Sequence, residues 1–158
     1  MNLFQGLYFM SGAKPSSALR QSTFMKSDLP ENTVEDIAMA VVLMSETPEV
    51  KNWTVYLVNL KNEPITNVLI SSKGYGEKDG KQVKTSVLRH FIGDMEAQSF
   101  SGVEAIDPEV FGLTNEYWLS YYIDGTIYDK KFIFLPESII DSNLIKIPLV
   151  NRPGVMIR

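Results

Sequence analysis

Hydrophobic and polar positions alternate most cleanly between residues 115 and 135, NEYWLSYYIDGTIYDKKFIFL. Two aromatic-rich strands flank Asp124-Gly125, the dipeptide that a tight type I′ hairpin turn prefers because both central residues need positive φ. A two-residue loop there predicts a register. Ile123 opposes Thr126, Tyr121 opposes Tyr128, Leu119 opposes Lys130 and Tyr117 opposes Phe132. On the other face Tyr122 meets Ile127, Ser120 meets Asp129 and Trp118 meets Lys131. Successive side chains of a strand point to opposite faces, so these are two separate surfaces.

The first surface carries Tyr117, Leu119, Tyr121, Ile123, Tyr128, Phe132 and Phe134, and is expected to face the core. Lys130 falls among them and is expected to snorkel near an edge. The second surface mixes Trp118, Tyr122, Ile127 and Ile133 with Asp129 and Lys131. It is too polar for a core centre and too apolar for plain solvent. Either the N-terminal arm, the C-terminal tail or Trp53 covers it, or it is an exposed patch for dimerisation or partner binding. Carbohydrate stacking on Trp118 and Tyr122 is a third use. Trp118, Tyr122, Ile127 and Lys131 are the candidate interaction residues.

Elsewhere the pattern is also that of strands. Ile37–Met44 is apolar at every position, as in a strand buried on both faces or a short buried helix, and Thr47-Pro48 followed by another strand favours the former. WTVYLVNL (53–60) is β-branched and aromatic, ITNVLISS (65–72) runs back after a turn, and KTSVLRHFI (84–92) and SFSGVEAI (99–106) follow. The charged, glycine-rich segment 73–82 reads as a surface loop. Asp107-Pro108-Glu109 signals a single helical turn, residues 139–147 one or two more, and 149–158 an extended tail along the surface. Residues 1–33, punctuated by serine, glycine and proline, read as a flexible arm. About seven strands with little helix and no βαβ pattern predict an all-β antiparallel sandwich over 34–148, with an immunoglobulin-like topology.

A 158-residue chain with 44% hydrophobic and 22% charged residues has apolar material for one core. A net charge of −4 lacks the basic footprint of nucleic-acid binding. The absence of cysteine removes disulfides, thiolate chemistry and zinc–sulfur sites, and fits a cytoplasmic location. The longest apolar run, Ile37–Met44, is far short of the roughly 20 residues that cross a bilayer, so no membrane partner is expected. The N-terminal MNLFQGLYFMSG has neither the cationic region nor the long apolar region of a signal peptide.

Candidate chemistry is sparse. His90 is the only histidine and reads as structural or exposed, which leaves no metal site or cofactor expected. Gly74–Gly80 matches neither the dinucleotide nor the P-loop spacing. From His90 to Asp129 there is no lysine or arginine but eight acids, whereas 61–89 leans basic. Cross-strand pairing and solvated turns account for that distribution, and a polarised surface that steers a charged partner is the alternative.

The segments NWTVYLVNLKNEPITNVLISSKGYG (52–76), KTSVLRHFIGDM (84–95), NEYWLSYYIDGTIYDKKFIFLPESI (115–139) and IPLVNRPGV (147–155) together resemble a family of small uncharacterised bacterial proteins. Some of its members bear the label phenylalanyl-tRNA synthetase alpha subunit. The resemblance implies a compact β domain and no catalytic residue. Arg89 precedes His90-Phe91 and Arg20 precedes Gln21-Ser22, so neither forms the Arg-x-Glu element of class II synthetases. The expectation is therefore a non-enzymatic module that binds a protein partner or itself. A small enzyme or ligand-binding domain built on carboxylates and tyrosine is the alternative, and it would show a concave pocket with convergent acids.

Overall fold

The strands assemble in a computed structural model that describes residues 32–158. Ten strands follow in chain order: β1 (Ile37–Glu46), β2 (Lys51–Asn59), β3 (Ile65–Lys78), β4 (Lys81–Lys84), β5 (Leu88–Met95), β6 (Ser99–Ile106), β7 (Thr114–Ile123), β8 (Thr126–Phe134), β9 (Ile145–Lys146) and β10 (Pro153–Ile157). One sheet has the order β6-β2-β1-β10-β9. The other is β4-β3-β7-β8, with β5 beside β4 on the same flank of β3. All pairings are antiparallel. Their apolar faces meet in one core, so the fold is an all-β sandwich. No helix among the described residues is long and apolar enough to cross a membrane.

The hairpin register read from the sequence holds pair for pair from Ile123↔Thr126 to Tyr117↔Phe132. Asp124 (φ 48°) and Gly125 (φ 77°) take the left-handed backbone that the turn requires. Tyr117, Leu119, Tyr121, Phe132 and Phe134 are buried, facing Met39, Val41, Val55 and Leu57 of the first sheet. Lys130 shares their face at the free edge of β8, its ammonium 5.1 Å from the Phe132 ring centre.

Three elements differ from the pattern reading. The segment 73–82 is not a loop: β3 continues to Lys78, turns at Asp79-Gly80 (φ 54° and 75°) and returns as β4. This is the same turn chemistry as at Asp124-Gly125, with charged side chains on strands that project into solvent. The strand placed at 84–92 starts only at Leu88. The expected tail is also not a surface strap, because β10 pairs with β1 and buries Val155. Gly154 permits that pairing: a Cβ there would lie 2.6 Å from the Val41 carbonyl oxygen and 2.9 Å from Ile147 Cγ1. The C-terminal segment then helps to cover the outer face of β1, where Ala38, Ala40 and Val42 pack with Ile147, Leu149 and Val150. This explains why β1 is apolar on both faces.

The expected helical turns are single 3₁₀ turns at Pro108–Val110 and Asp141–Asn143. Asn59, fully buried, donates to the Glu63 and Glu96 carbonyls and accepts from the Lys61 amide, tying the β2–β3 and β5–β6 turns together.

Candidate functional site

The outer face of the second sheet brings together all four candidate residues. On β7 and β8, Trp118 lies opposite Lys131 and Tyr122 opposite Ile127. The Lys131 ammonium sits 5.0 Å from the Trp118 ring centre, a cation–π contact. Trp118 is 48% exposed and Ile127 45%. Neither covering segment expected from the described part of the chain is there. Trp53 is buried in the first sheet against Phe111, and the C-terminal strand belongs to that sheet too. Most of the arm, residues 1–31, lies outside the described residues.

Two residues that the sequence reading did not include extend this face. Leu69 on β3 pairs with Ser120 on one side and with Phe91 of β5 on the other. Phe91 is the most exposed large apolar residue of the face, at 69%. The surface therefore runs across four strands, from Phe91 through Leu69 and Trp118 to Ile127 and Ile133. Alternation within LRHFI could have placed Arg89 and Phe91 on one side and His90 on the other. In β3 the run Val68-Leu69-Ile70 hid the alternation, because a bulge beside Asn67 (φ 51°) shifts the register there.

The charges of the face have mixed sign. Arg89 and Lys131 share the row through Ser71 and Trp118, and Asp129 lies on the next row. Lys73 pairs with Glu116 across β3 and β7 at 3.8 Å, one instance of the cross-strand pairing expected from the charge distribution.

A second cluster lies between the sheets, on the flank where β5 and β6 are both free edges. Glu104 of β6 points inward. Its Oε1 accepts from Ser72 Oγ at 2.8 Å and contacts His90 Nε2 at 2.6 Å, and its Oε2 accepts from Tyr117 OH at 3.1 Å. Burial, reinforced by the adjacent carboxylate, holds the Tyr117 phenol far above its ordinary pKa. The sequence reads His90 as structural or exposed, and its partner in the fold is an acid 14 residues further on.

Ser72, His90 and Glu104 do not form a nucleophilic triad. The carboxylate, not the imidazole, sits between the other two, so the imidazole does not reach the serine hydroxyl. No group of three or more metal-ligating side chains occurs among the described residues. Compared with known proteins, the chain matches no family model and no curated protein.

Proposed function

We propose that this chain is a non-enzymatic β-sandwich module that associates with a second copy of itself through the outer face of its second sheet. The carrying observation is the continuity of that face: Phe91, Leu69, Trp118, Tyr122, Ile127 and Ile133 are all exposed large hydrophobic residues on adjoining strands. Contiguous apolar surface of this kind marks association sites on soluble proteins. A second copy is favoured over an unrelated partner by charge. With Arg89, Lys131 and Asp129 on one face, a two-fold related copy can set cation against anion.

The free edge of β8 is a poorer docking site. Lys130 directs a charge to the inner side of that edge strand, a device that discourages strand addition. The strand order β1-β2-β6 opposite β3-β7-β8 supports an immunoglobulin-like topology, in which such faces commonly mediate association. A cytoplasmic setting accords with the cysteine-free sequence.

Light scattering over a concentration series tests the reading. A wild-type dimer and a folded monomeric Trp118→Ala support it. A wild-type monomer at all concentrations overturns it.

A further inference from the structure

Beside Glu104 lies a cavity of about 240 Å³, open to solvent between the sheets and bounded by β3, β6, β7 and the β4–β5 connection. Its polar groups are unequally satisfied. The hydroxyls of Ser72 and Tyr117 already donate to Glu104. Thr85 Oγ1 donates to the Ser86 carbonyl and accepts from the Gly74 amide. Lys73 is directed at Glu116 and the Tyr75 ring.

Acceptors remain. Asn115 is only 5% exposed and donates both amide hydrogens away, to the Val110 and Leu113 carbonyls. Its Oδ1 receives no hydrogen bond among the described residues and lies beside Gly74, 3.2 Å from where a Cβ would stand. A carboxylate offers about four lone-pair sites, and three donors reach Glu104, so one site on Oε2 is open. Leu88, Ile106 and Val110 supply an apolar wall. A cavity with an anion, an amide oxygen that no described residue partners and an apolar wall calls for a cationic donor on an aliphatic stem.

We propose that this cavity binds a small alkylammonium ion, its head at Glu104 and Asn115 Oδ1 and its methylene stem along Leu88, Ile106 and Val110. The site is independent of the association face, which lies on the other side of the second sheet. Glycine at position 74 leaves the space open, because any Cβ would project against Asn115 Oδ1 and Thr85 Cγ2, both at 3.2 Å.

The test is a titration of isotope-labelled full-length protein with n-butylammonium chloride, following the Asn115 side-chain amide resonance. Butan-1-ol serves as the uncharged isostere and sodium chloride as the salt control. The expected result is a saturable shift with a dissociation constant of about 1 mM, seen with neither control. Glu104→Gln and Gly74→Ala are each expected to weaken binding by roughly tenfold or more. Absence of a saturable shift, an equal shift with butan-1-ol, or undiminished binding by Gly74→Ala would each overturn the assignment. Should Glu104→Gln fail to fold, Gly74→Ala decides alone, since it fills the space while keeping every charge.

Discussion

His90 Nε2 lies 2.6 Å from Glu104 Oε1, and this contact joins the free edge of one sheet to the free edge of the other. β5 and β6 are the strands between which solvent would otherwise reach the core on that flank. An acid pointing inward at such a place is costly unless donors meet it, and three side chains of the second sheet do so. Glu104 is therefore a polar clasp between the layers as well as the wall of a cavity.

That arrangement ranks the expected effects of mutation. Glu104→Ala leaves the Ser72 and Tyr117 hydroxyls and the His90 ring without their shared acceptor, and should destabilise by about 3 kcal/mol. His90→Ala removes one partly exposed donor and should cost about 1 kcal/mol. Denaturant unfolding measures both, and equal losses would contradict the central place given to the carboxylate.

Two buried tyrosines of β7 should respond in opposite ways to loss of the hydroxyl. Tyr117 OH donates to Glu104, so Tyr117→Phe should cost roughly 1–2 kcal/mol. Tyr121 OH is buried without a partner, its ring stacked on Tyr128 at 5.3 Å, so Tyr121→Phe should be neutral or stabilising. Chemical denaturation of the pair compares like with like, since each variant loses one oxygen from the same strand.

The same two residues should make the fold less stable at alkaline pH. Burial, then the neighbouring Tyr128 and Glu63, pushes the Tyr121 phenol up to about 12, and Tyr117 is raised further. A phenol whose folded pKa exceeds its unfolded value of about 10 favours the native state while it stays protonated. That contribution is complete below pH 10 and is lost as pH rises from about 10 through 12. Phenolate absorbance of these two should appear only together with loss of the near-ultraviolet circular dichroism of the folded protein. Ionisation of all tyrosines before unfolding would contradict it.

Association through the outer face makes a positional prediction. Phe91→Ser and Trp118→Ala should each raise the dimer dissociation constant about tenfold or more, a loss of about 1.4 kcal/mol. Val50→Ser removes an apolar residue about as exposed as Trp118 from the β1–β2 turn and should leave the constant unchanged. Sedimentation equilibrium distinguishes them.

What the sequence disclosed depended on where local chemistry decides structure. The β7–β8 register was legible because Asp124-Gly125 admits one turn geometry and the flanking alternation is strict. Trp118, Tyr122, Ile127 and Lys131 therefore fall on one face by local pattern alone. Leu69 and Phe91 join that face only through the pairings of β3 with β5 and β7, at sequence separations that no local rule spans. Glu104, Ser72 and Tyr117 meet His90 across the gap between two sheets, and nothing in SFSGVEAI signals that its acid turns inward. The C-terminal strand was missed because Pro153 and Gly154 read as breakers, whereas in the fold they open an edge and a close approach.

Gly154 itself gives the sharpest steric test. A Cβ at this position would meet the Val41 carbonyl oxygen at 2.6 Å, Ile147 Cγ1 at 2.9 Å and Val42 Cα at 3.1 Å. Two of those three atoms are backbone of β1, held by pairing to β2 on one side and β10 on the other, so they cannot yield locally. Its φ is not in the left-handed region, which makes the constraint one of space alone. Gly154→Ala should therefore separate β10 from β1, expose Val155 and the outer face of β1, and cost about 3 kcal/mol. Gly102→Ala is the matched control, because its Cβ would find only the Tyr56 ring at an ordinary 3.8 Å. Thermal unfolding should show a clear drop for Gly154→Ala and little change for Gly102→Ala. Faster hydrogen exchange confined to β1 and β10 in the former would trace the loss to that pairing.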